Sequence, residues 1–532
     1  MRHPTVLHDR RAPWVFVFGC AAVSAGVLLH LPMFWMGHLS GFRLAGMPMD
    51  AAMIFGMFLI VAGIGVAGYG LLPRDVHRQT KVAQLVSVHA PEDAPLSAAH
   101  WKLMAVLVIA LVIDVMKPAA LGFIMPGMVD EYSVPKKTAS LVPFFALLGT
   151  VTGSVVWGLI ADIYGRKASI MLSAVVFVGT SICGAMPSLA WNMGMCFLMG
   201  AGAGGMLPVT YALLAETMPS RHRGWALVLV GGLGAVGGYF AASGFSTWLV
   251  PILSWRILWL INLPTGLILI AMGGLIPESA KFLLSRGRRE EAQRIMARFG
   301  TRTYTLQDAR EDEADILSHA YERFGPKSAS RGSLWSMALV GQTIALSIGA
   351  IAWGLVNFGL LLWLPGALVE QGYTMEVSSR LLAESALIAV PTVFICALLY
   401  SRWSTRWSLA ALMAVTLAGL AAVLLLEVTH DSSPVLPVAL LIVGSNGLLA
   451  ILLPYTSECY PLKIRGRATG WVAACTKAGG VIAQGLSITA LVPSLGTAAL
   501  IIMAPVTVSL ALICIYGRET RGIDLRRLEL PE

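Results

Sequence analysis

Long apolar stretches recur along the whole chain and constrain its fold more than any other feature. Hydrophobic residues make up 57% of the 532 residues and charged residues only 13%, about half the charged share of a globular domain. A helix needs about 20 apolar residues to cross a hydrocarbon core about 30 Å thick. Fourteen stretches reach that length, and they predict an all-α membrane protein with 14 spans. The stretches lie near residues 13–32, 51–72, 103–126, 139–161, 168–187, 190–216, 225–248, 256–276, 336–364, 379–400, 407–427, 434–457, 468–492 and 496–516.

The distribution of lysine and arginine predicts the orientation, because these residues are enriched in cytoplasmic loops. With a cytoplasmic amino terminus, most of the 38 bases fall on the cytoplasmic side. The exceptions are five outward residues and two residues within spans: Arg43, Lys136, Lys137, Arg256, Arg380, Lys117 and Lys477. We therefore predict a multi-pass protein of the inner cell membrane with both termini cytoplasmic. The net charge of +9 reflects topology rather than nucleic acid binding, because the bases are dispersed over short loops.

The longest polar stretch divides the later spans into two sets of six. The predicted units are a two-helix hairpin (1–73), a cytoplasmic linker (74–101), a six-helix bundle (102–277), an inter-bundle loop (278–335), a second six-helix bundle (336–517) and a cytoplasmic tail (518–532). The two halves resemble each other in one detail. Glu216 precedes Arg223 after the fourth span of the first bundle, and Glu458 precedes Arg465 at the same place in the second. Internal repeats of this kind are typical of transporters, whose binding site lies between the halves.

The short connection between the second and third spans of the first bundle has a distinctive composition. Residues 158–167 read Gly-Leu-Ile-Ala-Asp-Ile-Tyr-Gly-Arg-Lys, so one acid, a helix-breaking glycine and two bases lie at the membrane boundary. Two further segments are polar and follow the last span of each half: Pro-Glu-Ser-Ala-Lys-Phe-Leu at 277–283 and Glu-Thr-Arg-Gly at 519–522.

Together these motifs resemble the major facilitator superfamily, in its sugar and organic-ion branch, over residues of about 100–517. The resemblance implies two six-helix bundles that give alternating access to a central cavity. The second-half counterpart of the first motif, at 401–406, keeps its bases but has lost the acid and the glycine. This loss predicts that the two bundles do not lock symmetrically. Trp353, Asn357 and Trp363 are more similar to the organic-ion carriers than to hexose carriers, which have paired glutamines in this span.

The motif residues are predicted to form a cytoplasmic gate. Asp162 can approach the positive end of a helix in the other bundle, and Arg166 can bind a carboxylate such as Glu216. Contacts that exist in only one state bias the equilibrium between states. The alternative is that Arg166 and Lys167 have no gating role and lie here only because basic residues are enriched in cytoplasmic loops. The predicted gating residues are Gly158, Asp162, Gly165, Arg166, Lys167, Glu216, Arg223, Glu458 and Arg465.

Ionisable residues deep in spans indicate the transported species, because placing one there costs at least about 2.5–3.5 kcal/mol. We predict that Asp114, near the middle of its span, carries a proton, with Glu384 as a shallower second acid. Lys117 follows on the same helical face, and Lys477 lies in the opposite bundle. These bases predict an anionic organic substrate. The alternative is a static ion pair between Asp114 and Lys117.

Polar and aromatic residues in other spans complete the predicted binding site. They are Tyr239, Asn262, Trp353, Asn357, Asn446 and Gln484, and each could instead join neighbouring helices. We find no nucleotide-binding loop, acyl-transfer triad or metal-ligand spacing, and therefore predict neither an enzyme nor a cofactor. The expected partners are the substrate, protons and the lipid bilayer.

The amino-terminal hairpin lies outside the family resemblance and leaves alternatives open. Its turn is rich in soft ligands, His30, Met33, Met36, His38, Met47, Met49 and Met53, a composition that copper would accept. Methionine also fills gaps between helices. Three functions remain open: proton-coupled carriage of an organic anion, a copper or metal carrier, and a non-transporting sensor. The hairpin could also bind a partner or a second copy.

Overall fold

A computed structural model describes residues 12–72, 86–89, 95–285, 288–305, 334–337, 339–370, 372–429, 434–460, 462–489 and 494–521. The hairpin comprises α1 (Ala12–Leu28), α2 (Leu31–Met36) and α3 (Ala51–Leu71). The first bundle comprises α4 (Ala98–Tyr132), α5 (Lys136–Ala139), α6 (Leu141–Tyr164), α7 (Arg166–Gly179), α8 (Leu189–Ala203), α9 (Met206–Thr217), α10 (Ser220–Leu253), α11 (Ile257–Leu260) and α12 (Asn262–Met272).

The inter-bundle region and the second bundle continue the helical pattern. The inter-bundle region contains α13 (Ala280–Ser285) and α14 (Arg289–Phe299). The second bundle comprises α15 (Val340–Leu355), a π-helical turn (Val356–Leu360), α16 (Leu361–Glu370), α17 (Met375–Arg402), α18 (Thr405–Thr429), α19 (Val435–Cys459), α20 (Leu462–Ile488) and α21 (Leu495–Tyr516). One antiparallel strand pair, β1 (Val86–His89) with β2 (Arg302–Thr305), joins the linker to the inter-bundle region.

The predicted all-α fold class is confirmed, whereas the count of 14 crossings stays a prediction. Among the described residues, 12 helical segments are long and apolar enough to cross a membrane. The segment Ile257–Met272 is apolar but shorter. Helix α20 spans Leu462–Ile488 and carries Lys477 and Gln484 along its length, which makes it more polar than its neighbours. The predicted unit boundaries likewise remain predictions.

Small residues allow the helices to approach closely. In the hairpin, a Cβ added at Gly26 would lie 2.6 Å from the carbonyl oxygen of Gly56. In the first bundle, a Cβ added at Gly149 would collide with the carbonyl oxygen of Phe197. Side chains larger than hydrogen would therefore separate these helices, as is typical of small-residue interfaces in membranes. The hairpin packs as a unit against α7 of the first bundle.

A buried ion pair fixes the hairpin loop to the first bundle. Glu131, at the end of α4, and Arg256, before α11, lie 2.7 Å apart, with side chains 3% and 0% exposed. The Glu131 carboxylate also accepts hydrogen bonds from the backbone N–H groups of Leu44 and Ala45 in the hairpin loop, at 2.6 and 3.0 Å. A third donor is the indole of Trp255, at 3.0 Å. One carboxylate thus connects the hairpin, α4 and the connection between α10 and α11.

The two bundles contact each other along the helix pairs α4–α16, α6–α20 and α10–α17. The hydroxyls of Ser140 and Ser487 lie 2.5 Å apart across this interface, and those of Ser246 and Ser379 lie 2.8 Å apart. We call this end of the molecule, which carries Ser140, the Ser140 end. The opposite end, where α6 meets α7, is the Gly165 end. The charge distribution predicts that the Gly165 end is cytoplasmic.

Candidate functional site

Two charged residues face each other across the interface of the bundles. Asp114 lies on α4 of the first bundle and Lys477 on α20 of the second. Asp114 is 7% exposed, and among the described residues its Oδ1 atom has no hydrogen-bond partner. Its strongest electrostatic interaction is with Lys477, and the interaction with Lys117 is weaker. An acid of the first bundle and a base of the second thus interact electrostatically at the interface of the bundles.

Lys117 has its own partners inside the first bundle. Its ammonium donates to the carbonyl of Phe177 at 2.8 Å and to the hydroxyl of Thr180 at 3.1 Å. It also lies 2.9 Å from the centre of the Phe177 ring. Both partners belong to the region where α7 ends, so the ammonium is directed to that side of α4. Lys117 is therefore held by its own bundle rather than by a close ion pair with Asp114.

Aromatic residues surround Lys477. Its ammonium lies 5.4 Å from the centre of the Phe358 ring, and that ring packs edge-on against Trp353 at 5.6 Å. Phe358 belongs to the π-helical turn between α15 and α16, together with the half-buried Asn357. Gln484 donates its amide N–H to the carbonyl of Phe358. The π-helical turn thus places a ring and an amide beside the base.

The other predicted lining residues lie at different depths. Tyr239 is buried on α10, and its hydroxyl has no partner among the described residues. Asn262 is buried on α12 with both amide atoms unpaired in the described part of the chain, and Asn446 is buried on α19. Glu384 is instead 47% exposed and pairs with Arg380 at 3.0 Å on the same helix. It lies outside the group formed by Asp114 and Lys477.

A second polar network lies at the Gly165 end of the first bundle. Gly165 has φ +103°, and a Cβ added there would lie 2.5 Å from the Glu278 carboxylate. That carboxylate accepts a hydrogen bond from the backbone N–H of Arg166 at 2.8 Å. The Arg166 side chain pairs with Glu216 at 3.3 Å, and the Ser279 hydroxyl donates to Glu216 at 2.5 Å. Glu278 thus caps α7, and glycine is needed because the acid approaches so closely.

The second bundle repeats this arrangement with residues from another part of the sequence. Glu519 accepts hydrogen bonds from the backbone N–H of Thr405 at 2.9 Å and from the Ser404 hydroxyl. The Thr520 hydroxyl donates to Glu458 at 2.9 Å. Glu519 therefore caps α18 as Glu278 caps α7. The acid missing from 401–406 is instead the counterpart of Asp162, whose side chain lies outside the described residues. That the two bundles lock differently stays a prediction.

The two caps have different proton affinities. Burial raises the pKa of Glu278 above its ordinary value of 4.5, against the opposing effect of its backbone hydrogen bonds. Partial burial also acts to raise the pKa of Glu519, but hydrogen bonds from Ser404, Thr405 and Arg521 outweigh it and lower the pKa. Hydrogen bonds to a carboxylate favour its charged form, and desolvation disfavours it.

Between the bundles, the Gly165 end is closed by the start of α10. A Cβ added at Gly224 would lie 2.9 Å from the Tyr400 ring and 3.0 Å from the Glu458 carboxylate. Arg223, next to it, interacts electrostatically with Glu458. The Tyr400 hydroxyl donates to Glu458 at 2.6 Å. The contacts of Arg223 and Gly224 with Glu458 join the first and second bundles, whereas the ion pair between Arg166 and Glu216 lies within the first.

The remaining predicted gating residues are placed as follows. The side chains of Asp162 and Arg465 lie outside the described residues. The backbone N–H of Lys167 lies 3.3 Å from Glu278, and nothing lies within 4 Å of a Cβ added at Gly158. Sequence reasoning missed the role of Glu278 and Glu519 as helix caps. The signal was the acid followed by a hydroxyl residue after the last span of each half.

The soft ligands of the hairpin lie partly in a buried apolar cluster and partly at the surface. His30 is buried and its Nδ1 lies 2.8 Å from the carbonyl oxygen of Gly26. Met33 and Met53 are buried in an apolar cluster between the hairpin and α7, whereas Met36 is 58% exposed. Among the described residues, no group of three or more His, Cys, Asp or Glu side chains could hold a metal ion. The methionines pack here as apolar side chains.

Comparison with known proteins relates this arrangement to one family. Residues 107–483 match the Major Facilitator Superfamily. The niacin transporter NiaP of Acinetobacter baylyi is 25% identical over 446 residues, which cover 82% of this chain and 98% of that protein. The 4-hydroxybenzoate transporter PcaK of the same organism is 31% identical over 292 residues, 53% of this chain and 62% of that protein. The benzoate transport protein of the same organism is 23% identical over 413 residues, 76% of this chain and 85% of that protein.

Solved structures show the same fold. The proton:xylose symporter XylE bound to 6-bromo-6-deoxy-D-glucose matches with a TM-score of 0.62 at 16% identity, over 81% of this chain and 98% of that one. The inward open conformation of XylE from E. coli matches with a TM-score of 0.60 at 15% identity, over 81% of this chain and 99% of that one. At such identities the likeness concerns the fold alone. In both comparisons nearly all of the other chain is covered, so about a fifth of this chain is additional.

Proposed function

Because this chain belongs to the Major Facilitator Superfamily, a family of membrane transporters, we propose that it carries a small aromatic monocarboxylate together with a proton. The observation that carries the proposal is the interaction of Asp114 with Lys477 across the bundle interface. Relatives are named as transporters of niacin, 4-hydroxybenzoate and benzoate. Each of those compounds is one aromatic ring with one carboxyl group, and Lys477 with its aromatic neighbours suits that chemistry.

Lys477 supplies the positive charge for the substrate carboxylate. Lys477 is half-buried, and its ammonium lies beside the Phe358 ring, which packs against Trp353. A base at this depth is costly and typically marks a transport pathway. Aromatic rings prefer edge-on or offset contacts, with ring centres about 4.5–7 Å apart. A substrate ring can therefore pack on these side chains while its carboxylate reaches the ammonium. Lys117, which is held by the backbone of the first bundle, has a supporting role in that bundle.

Asp114 couples proton binding to anion binding, because its carboxylate and the substrate carboxylate both interact with Lys477. In the empty carrier, the charge of Lys477 compensates the buried Asp114 carboxylate. A substrate carboxylate bound to Lys477 would leave two negative charges beside one positive charge in a buried space. Uncompensated buried charge is strongly unfavourable, so Asp114 binds a proton when the anion binds. One proton thus accompanies one anion, and the loaded carrier crosses between states with no change in net charge.

The ends of the bundles supply the gates. At the Ser140 end, the contact of Ser140 with Ser487 must break for the cavity to open to that side. At the Gly165 end, the corresponding contact is that of Gly224 and Arg223 with Glu458. Contacts present in one state alone set the balance between states without touching the substrate. The ion pair of Arg166 keeps the first bundle rigid while these contacts form and break.

The charge distribution supports the placement of the carrier in the inner cell membrane. In this orientation the Gly165 end and both termini face the cytoplasm, because the bases concentrate there. The caps formed by Glu278 and Glu519 are then cytoplasmic, and the hairpin loop with Arg43 faces outward. The buried pair of Glu131 and Arg256 supports a hairpin that moves with the first bundle during transport.

Uptake by proteoliposomes tests the proposed function. Purified protein is reconstituted, and accumulation of radiolabelled benzoate is followed with and without an imposed pH gradient. We expect accumulation driven by the gradient in the wild type. Lys477→Met should weaken substrate binding, and Asp114→Asn should abolish accumulation driven by the gradient. Accumulation by both variants at the wild-type rate would exclude this site.

Glu384→Gln is the matched control. Glu384 is also an acid in a predicted span, but it is exposed and paired with Arg380. Its removal should leave accumulation within about fivefold of the wild type, because a surface ion pair contributes at most about 1 kcal/mol. Loss of coupling in Glu384→Gln with normal coupling in Asp114→Asn would move the proton site to α17.

A further inference from the structure

Gln484 binds the π-helical turn through its amide nitrogen, and its amide oxygen has no hydrogen-bond partner among the described residues. Its side chain is fully buried on α20 and donates to the carbonyl oxygen of Phe358. A carbonyl oxygen can only accept hydrogen bonds, so the amide nitrogen must face it. The amide oxygen, Oε1, is then fixed in direction by the same contact. This oxygen has no hydrogen-bond donor among the described residues.

An unpaired buried acceptor is unusual and requires an explanation, because nearly all buried polar atoms in folded proteins have a partner. Two neighbouring indoles, those of Trp353 and Trp363, also have unpaired N–H groups in the described part of the chain. The unpaired atoms belong to the same part of the second bundle, around the π-helical turn. Polar atoms with unused hydrogen-bonding capacity can bind a molecule that carries its own polar groups.

Gln484 and Lys477 lie close enough along α20 for one small molecule to reach both. They are seven positions apart and therefore lie on one face of the helix, with their backbones about 10.5 Å apart along its axis. Both contact Phe358, one through its ring and the other through its carbonyl. An aromatic ring with a carboxylate at one end and a hydroxyl at the other can therefore contact both side chains along this face.

The location of Gln484 also explains how a substrate reaches it. Ser487 lies one turn further along α20 and touches Ser140 at the closed end of the interface. Gln484 therefore lies just below this contact. When the Ser140 end opens, this part of α20 becomes accessible, and when it closes again the amide is enclosed with the substrate.

We propose that Gln484 determines specificity by accepting a hydrogen bond from a hydroxyl on the substrate ring, opposite the carboxylate bound by Lys477. This inference rests on the proposed function and goes further, because it distinguishes hydroxylated from plain aromatic carboxylates. Binding of a plain ring leaves the amide oxygen of Gln484 buried without a donor and is therefore disfavoured. The hydroxyl of a hydroxylated ring supplies that donor. A penalty of this kind corresponds to about tenfold in affinity.

Competition binding to the purified full-length protein in detergent tests the inference. The Kd values of benzoate and 4-hydroxybenzoate are compared in the wild type, in Gln484→Leu and in Gln342→Leu. The wild type should prefer 4-hydroxybenzoate by about tenfold, and Gln484→Leu should bind both compounds alike. Gln342 is a buried glutamine at the other end of the second bundle, so Gln342→Leu should keep the preference.

The ratio of the two Kd values separates recognition from general damage. A loosened π-helical turn would weaken both compounds equally and would leave the ratio unchanged. The inference is overturned if the wild type shows no preference, or if Gln484→Leu keeps it. Equal binding of both compounds by the wild type would leave the proposed function standing. Absence of binding of either compound would remove both.

Discussion

Glu278 and Glu519 hold equivalent positions at the Gly165 end of the two bundles. Each carboxylate accepts a backbone hydrogen bond at the start of a helix, from Arg166 at 2.8 Å and from Thr405 at 2.9 Å. A negative charge at this place stabilises the helix by satisfying an unpaired N–H group and the positive end of the helix dipole. The bundles are therefore built alike at this end, although only the first keeps the glycine and the acid of its connecting loop.

The two caps predict opposite responses to pH. Burial raises the pKa of Glu278 above 4.5, so its contribution to stability is present below that value and is lost as the pH rises through the folded-state pKa. The pKa of Glu519 is lowered, because hydrogen bonds outweigh its partial burial. Its contribution is present above 4.5 and is lost as the pH falls through the folded-state pKa.

Thermal unfolding of the wild type, Glu278→Gln and Glu519→Gln between about pH 3.5 and pH 7 measures this difference. As the medium becomes more acidic, the Tm advantage of the wild type over Glu519→Gln should shrink. The Tm of the wild type minus that of Glu278→Gln should instead increase as the pH falls. Because both variants replace glutamate by glutamine, each serves as the control for the other. Changes of the same sign for both variants would contradict the assigned environments.

Gly158, within α6, and Gly165, directly after α6, should differ in their tolerance of alanine. Gly165 has φ +103°, and an added Cβ would lie 2.5 Å from the Glu278 carboxylate. Gly165→Ala should cost about 1–3 kcal/mol, since it adds backbone strain and displaces the cap. At Gly158 an added Cβ meets nothing within 4 Å, and Gly158→Ala is the matched control. The Tm of the two variants checks this, and a larger loss for Gly158→Ala would contradict the packing described.

Two ion pairs at the Ser140 end offer a similar contrast. Glu131 and Arg256 are 3% and 0% exposed, so Arg256→Met leaves a buried carboxylate without its charge partner and should cost about 3–5 kcal/mol. Arg43 and Asp130, next to them, are 62% and 70% exposed. Breaking that pair by Asp130→Asn should cost at most about 1 kcal/mol. Unfolding of both variants in detergent tests this, and equal losses would show that burial does not govern the pair.

The fold class followed from the apolar stretches, because membrane crossing imposes helix length directly. Several features of the site could not follow from sequence. Spacing places Asp114 and Lys117 on one face of α4, but it does not say toward which helix each side chain turns, and Lys117 turns to Phe177. The acid that caps α18 is Glu519, which lies more than one hundred positions from Thr405 along the chain and approaches it only in the folded bundle.

Arg256 is another residue whose environment could not be predicted from the sequence. The sequence identified it only as one of the bases on the predicted outward side, and its side chain is fully buried. Its burial depends on Glu131 and on two carbonyl groups that follow α7, which come from two other parts of the chain. Only their tertiary arrangement reveals that these partners satisfy the guanidinium.

The number of protons taken up when substrate binds tests the central claim most directly. Benzoate is added to purified protein in weakly buffered detergent solution, and the pH change is recorded alongside the binding isotherm. We predict an uptake of about one proton per bound anion in the wild type. Asp114→Asn should bind benzoate with little proton uptake, because its amide already lacks the negative charge. Equal proton uptake by the wild type and Asp114→Asn would contradict the account.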